Sequence, residues 1–158
     1  MLFIIGFTGA GKTTYGKKLA EEMHIPFYDL DEEIEKNAST GSATTTTIPE
    51  IFTERGEIYF RELEAKTLRE IPTNENAVVA CGGGTPCFHN NLAWLKENGK
   101  VIYLKKSPEQ ILQQLSQTEI EKRPLLKDKS REEIIHWIHD TLAKREAFYE
   151  QADEIIEP

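Results

Sequence analysis

Between the apolar run Leu2-Phe3-Ile4-Ile5 and a stretch with apolar residues at helical spacing lies Gly6-Phe7-Thr8-Gly9-Ala10-Gly11-Lys12-Thr13. It satisfies the pattern G-x-x-x-x-G-K-S/T, and no other feature constrains the fold of this chain so tightly. The glycines let the backbone wrap closely, so its N–H groups and the positive end of the next helix converge on an anion. Such a loop needs a buried strand before it and a helix after it. The sequence supplies both: a strand over 2–5, then a helix over about 12–23 with Tyr15, Leu19 and Met23 as its apolar positions. Lys12 is then placed to reach the β- and γ-phosphates of a nucleotide and the Thr13 hydroxyl to ligate Mg²⁺, with Gly9, Ala10, Gly11 and Thr14 completing the cradle. A glycine turn that only caps a helix is the plainer alternative, and the agreement of motif, strand and helix weighs against it. No N-K-x-D element for guanine is present, so ATP is the expected nucleotide.

Downstream, short apolar runs alternate with longer amphipathic segments, the pattern of a parallel sheet with helices on both faces. The fold class is therefore α/β, with three layers (α/β/α) and about five parallel strands at the centre. A short strand over 27–28 leads to Asp29-Leu30-Asp31, and Asp31, Glu32 and Glu33 suit the positive first turn of a helix running toward Lys36. Residues 37–47 carry almost no large apolar side chains and read as a surface loop. A helix is expected over 57–71, with Phe60, Leu63, Glu64, Thr67 and Leu68 along one side. Strands follow over 77–80 and 100–104, with a helix over about 91–97 between them. Ser107-Pro108-Glu109 starts another helix, Ser130 caps a last one to about Tyr149, and Ile155-Ile156 begins a fifth strand. The polar stretch 116–130, interrupted by Pro124, reads as a lid.

The chain of 158 residues fits one domain, 1–158, and 39% hydrophobic residues suit a core of that size. A net charge of -8 speaks against nucleic acid as a partner, so any bound anion must be held by a local cluster of basic groups. No apolar run approaches the ~20 residues that cross a bilayer, and no secretory segment follows Met1. A cytoplasmic protein with no membrane partner is expected, and a monomer. Cys81 and Cys87 fit reduced thiols there, and neither they nor His136 and His139 have the partners of a metal site.

Asp29 and Asp31 stand two apart at the end of the second strand, and the pair is read as doing two jobs. Asp29 could then help hold the metal, while Asp31 accepts a hydrogen bond from a substrate hydroxyl and orients it toward the γ-phosphate. Helix-capping carboxylates on an acidic surface are the alternative for an isolated D-x-D.

The stretch from Phe52 to Glu64, with Gly56-Glu57 and Phe60-Arg61 inside it, resembles the F-x-x-x-G-E-x-x-F-R-x-x-E signature of shikimate kinases. Further elements of that family match in order: the glycine loop, Asp29-x-Asp31, Gly82-Gly83-Gly84, Arg123-Pro124-Leu125-Leu126 and Arg145-x-x-x-Tyr149. The resemblance thus covers nearly the whole chain. It implies a P-loop kinase fold with a substrate-binding segment over about 31–64 and a lid over about 116–130. It also implies transfer of the γ-phosphoryl group of ATP to the 3-hydroxyl of shikimate, a step of chorismate and aromatic amino acid biosynthesis. By the same resemblance Arg61 and Arg145 clamp the shikimate carboxylate, Gly82, Gly83 and Gly84 lie beside acceptor and phosphates, and Phe52 and Phe60 form an apolar wall. Arg123 is the closing cation over the nucleotide, so that catalysis rests on Asp31, Lys12 and Arg123. Guanidiniums suit a carboxylate because they donate two parallel hydrogen bonds, each worth on the order of 1.5–3 kcal/mol. Glu64, one turn beyond Arg61, can fix its orientation.

The chain departs from the family in three places. The stretch between Asp31 and Glu57 is longer than usual, with the excess in the Thr/Ser-rich loop, which a fold accommodates at little cost. Gln113 or Gln114 stands where many relatives carry an arginine that stacks on adenine. Relatives also usually continue beyond the position of Pro158, through the fifth strand into a terminal helix. The competing readings are a related small-molecule kinase, acting for example on gluconate or a nucleoside monophosphate, and a nucleotide-binding regulatory module without catalysis.

Overall fold

The structure, a computed structural model, describes residues 1–41, 45–115, 120 and 126–157. Strand β1 (Leu2–Ile5) feeds the glycine loop and helix α1 (Lys12–Met23), as the motif requires. Then come β2 (Phe27–Asp29), α2 (Leu30–Ala38), α3 (Ile48–Glu70), β3 (Val78–Ala80), a 3-10 turn (Thr85–Cys87), α4 (Asn91–Asn98), β4 (Lys100–Leu104), α5 (Pro108–Gln114), α6 (Arg131–Tyr149) and β5 (Glu154–Ile156). The strands form one five-stranded sheet in the order β2-β3-β1-β4-β5, with every pair parallel.

The central strands are apolar throughout because both faces of the sheet are covered. Phe3, Ile5, Val79 and Tyr103 meet α2 to α6 on the larger face, through Leu30, Leu68, Leu95, Ile111 and Ile138. Ile4, Val78 and Leu104 pack on Tyr15, Leu19 and Ala20 of α1 on the other face. Among the described residues no helix is long and apolar enough to cross a membrane.

The largest difference from the sequence-based expectation is α3, which begins well before residue 57. Thr47 starts it: the Glu50 carboxylate accepts from the Thr47 backbone N–H (2.7 Å) and hydroxyl (2.8 Å), and Pro49 sits in the first turn. Gly56, at φ 80° and ψ 173°, breaks the helix, so the expected segment is its second half and 48–55 is an additional piece carrying Phe52. The loop between α2 and α3 is pinned at its base, where the Thr46 N–H donates to Ser39 Oγ (2.8 Å) and the Ile48 N–H to Glu35 (2.9 Å). Helix α2 takes up residues 37 and 38 of the expected loop, and residues 42–44 lie outside the described residues.

Asp153 fastens β5 beside β4. Its carboxylate accepts from the Val101 N–H (2.8 Å), its own N–H donates to the Val101 carbonyl (2.9 Å), and Lys96 lies 3.4 Å away. The bond from Val101 holds its carboxyl below the ordinary value. A carboxyl lower in the folded than in the unfolded state stabilises fully above its unfolded value and loses that contribution as pH falls through the folded one. Asp153→Asn should therefore lower the melting temperature at neutral pH and shrink the gap from wild type in acid. A gap that stays constant down the acid limb would show that this carboxylate contributes nothing.

Candidate active site

The loops after β1, β2, β3 and β4 open onto one cavity of about 710 Å³ at the carboxyl ends of the strands. There the chain crosses from one side of β1 to the other, which is where open α/β sheets place their ligands. Gly9 and Gly11 have φ of 79° and 88°, a region that side chains disfavour, and α1 starts directly behind them. Among the described residues no side chain caps α1, and no acid stands in its first turn, so its first N–H groups face the cavity uncompensated. Lys12 is buried and folds back over the loop, its Nζ donating to the Phe7 carbonyl (2.8 Å).

Asp29 ends β2 and caps α2, its Oδ1 accepting from the Asp31 N–H (3.0 Å), and the turn brings both carboxylates onto the same cavity. Capping does not consume Asp29, because its Oδ2 accepts from Thr13 Oγ1 (2.7 Å). The two residues expected to hold Mg²⁺ thus touch each other. They offer only oxygen donors, as a hard cation requires, and too few to hold it without nucleotide phosphates and water. Among the described residues no group of three or more His, Cys, Asp or Glu could hold a metal.

Beside this cavity, Arg61 and Glu64 are both buried on α3. Arg61 Nη1 donates to Glu64 Oε2 (2.9 Å), and Glu64 Oε1 accepts from the Thr85 hydroxyl (2.6 Å). The guanidinium lies 4.1 Å from the ring centre of Phe88 and 5.0 Å from that of Phe60, while Phe52 stacks on Phe60 at 4.5 Å and remains exposed at the outer edge. Aromatic faces and the carboxylates of Glu64 and, at 3.4 Å, Glu57 therefore fix the plane of the cation.

Arg145 approaches from α6. Leu142 and Tyr149, three before and four after it, are buried, so Arg145 lies on the inward face of its helix. Its Cζ is 6.0 Å from the ring centre of Phe7, and the Tyr149 hydroxyl donates to the Gly83 carbonyl.

Gly82, Gly83 and Gly84 are where these groups meet. A Cβ on Gly84 would lie 2.6 Å from both Arg61 Nη atoms, one on Gly83 3.3 Å from Arg145 Nη1 and 2.6 Å from Thr8 Oγ1, and one on Gly82 3.0 Å from Asp31 Oδ1. Side chains at these positions would push the two guanidiniums and the carboxylate apart. Burial pushes the Cys87 thiol up against the opposing pull of Arg145 and Arg61, and burial also raises Cys81. Both are free, as expected.

Thr85 and Phe88 carry no sequence signal for this role. They reach Arg61 and Glu64 only because the turn after β3 packs on α3. Arg123, Pro124 and Leu125 lie outside the described residues, as do 116–119, so the expected closing cation and most of the lid fall there.

Comparisons with known proteins follow the same line. A model of the shikimate kinase family matches residues 8–158. The shikimate kinase of Bacteroides thetaiotaomicron is 40% identical over 155 residues, 98% of this chain and 85% of that protein. That of Bacteroides fragilis is 41% identical over 154 residues, 98% of this chain and 82% of that one. Among solved structures, the B. thetaiotaomicron shikimate kinase superposes with a TM-score of 0.88 at 39% identity, covering 99% of this chain and 85% of that one. The Acinetobacter baumannii shikimate kinase in complex with shikimate gives a TM-score of 0.83 at 37% identity, covering 99% and 82%.

Proposed function

Because this chain belongs to the shikimate kinase family, we propose that it transfers the γ-phosphoryl group of ATP to the 3-hydroxyl of shikimate, giving shikimate 3-phosphate and ADP. The product feeds chorismate and aromatic amino acid biosynthesis. The observation that carries this reading is the meeting of Arg61, Arg145 and Asp31 around Gly82, Gly83 and Gly84, next to the glycine loop. Two guanidiniums and a carboxylate are the complement of a small acid that also bears hydroxyls.

Arg61 and Arg145 receive the shikimate carboxylate, and Glu64 keeps Arg61 in the plane that presents two parallel donors. With the acid anchored, a ring hydroxyl reaches Asp31, which accepts its hydrogen bond and turns the oxygen toward the γ-phosphorus. As the new O–P bond forms and the bond to ADP breaks, the hydroxyl proton passes to Asp31. Lys12 exchanges the Phe7 carbonyl for phosphate oxygens and, with the loop N–H groups and Arg123, takes up the charge on the transferred group. Thr13 and Asp29 would hold Mg²⁺, whose contribution when bound is to neutralise the β- and γ-phosphate oxygens. Positioning and electrostatics supply most of the acceleration in such a reaction.

A coupled assay of ADP release, run with shikimate, gluconate and nucleoside monophosphates and with or without Mg²⁺, tests the reading. ADP should form with shikimate alone and only when Mg²⁺ is supplied. Turnover of another acceptor in place of shikimate would assign the chain a different kinase activity, and ATP binding without turnover of any acceptor would remove catalysis.

A further inference from the structure

Lys105 and Lys106 follow β4 as neighbours but meet different partners. Lys105 is neutralised on one side by Glu146 (3.3 Å) and Glu150 (3.2 Å). Lys106 lines the nucleotide cavity, and among the described residues no carboxylate pairs with it. Lys18, also on the cavity wall, has Glu22 at 3.8 Å.

The Lys106 ammonium instead sits against the side chain of Gln114, the last residue of α5. Only one orientation of that amide satisfies both neighbours: its oxygen accepts from Lys106 Nζ (2.8 Å) and its nitrogen donates to the Gly9 carbonyl (2.9 Å). Gln114 is therefore a bracket between the glycine loop and Lys106. A cation held at a cavity by a neutral amide, in a chain of net charge -8, keeps its full charge for a ligand. An acid in place of the amide would orient it equally well and cancel it.

We propose that Lys106, braced by Gln114, contacts the phosphate chain of the bound nucleotide and supplies a positive charge that Gln114 itself lacks. The inference rests on reading the cavity as the ATP site. It makes Lys106 a nucleotide-binding residue and Gln114 a positioning residue.

Calorimetric titration of the full chain tests it, with ADP, ATP, inorganic tripolyphosphate and adenosine as ligands. Lys106→Met should weaken ADP, ATP and tripolyphosphate about 10-fold, as loss of one partly solvated charge-assisted bond implies, and leave adenosine unchanged. Lys106→Arg should stay within about threefold of wild type, because charge and reach are kept. Gln114→Glu should weaken the same three ligands as Lys106→Met. In turnover, Lys106→Met should raise the KM for ATP with kcat near wild type. The ligand-free melting temperature should not move, which separates binding from folding. ADP affinity within about twofold of wild type in Lys106→Met, or an equal loss for adenosine, overturns the proposal. Absence of shikimate turnover in the wild type would defeat the reaction assigned above and leave these titrations readable. Normal turnover with unaltered ADP affinity in Lys106→Met would defeat only the present inference.

Discussion

Replacing Arg61 should weaken shikimate binding by about 10²–10⁴-fold and leave ADP affinity within about twofold, since two charge-assisted bonds to one carboxylate are lost. The alanine variant does more than remove a ligand contact. It strands Glu64, a carboxylate 1% exposed whose remaining hydrogen-bond partner among the described residues is the Thr85 hydroxyl. Leaving a buried charge without its counter-ion costs about 3–5 kcal/mol of stability. Arg61→Lys is the cleaner probe. It keeps the charge beside Glu64 but has no planar fork, so shikimate affinity should fall while the melting temperature stays closer to wild type. Thr85→Val provides a third reading, because it removes a donor to Glu64 without touching the guanidinium. It should raise the KM for shikimate modestly, and Thr85→Ser should restore it. Calorimetric titration of both ligands against each variant gives the answer. Unchanged shikimate affinity in both Arg61 variants would take this residue out of the clamp.

Asp31→Asn should lower kcat by about 10²–10⁴-fold, the usual contribution of a positioned proton acceptor. The substitution is nearly isosteric, and the backbone N–H that Asp29 caps is untouched, so α2 should keep its start. What disappears is the capacity to take the hydroxyl proton as the phosphoryl group arrives. The KM for ATP should stay near wild type, because Lys12 and the glycine loop, the proposed phosphate site, are left in place. Steady-state kinetics at saturating ATP distinguish the outcomes: a kcat within about tenfold of wild type would assign proton acceptance elsewhere.

Much of this arrangement was legible in local signals. The glycine loop announced its strand and helix, Ser107 and Ser130 cap the helices they were expected to cap, and β4 has the expected bounds. The first half of α3 was not legible as a helix. Its cap, Thr47 with Glu50, sits in a run of threonines, and Gly56 interrupts the apolar periodicity that would have joined the two halves. The placement of Asp29 and Asp31 follows from the turn after β2, not from strand alternation. Alternation holds only while a strand continues, and this one turns into a helix at Leu30.

Chain order alone therefore dictated the α/β class, the phosphate loop and most helix ends, because caps, turns and apolar runs act within a few residues of themselves. The folded arrangement decided the rest. It placed Thr85 on Glu64, laid Phe88 over Arg61, and left Lys106 without the acids that neutralise its neighbour Lys105. Those contacts join residues far apart in the chain, brought together when parallel strands stack in an order different from their sequence. Their energies depend on burial and counter-charges that no short stretch of sequence contains.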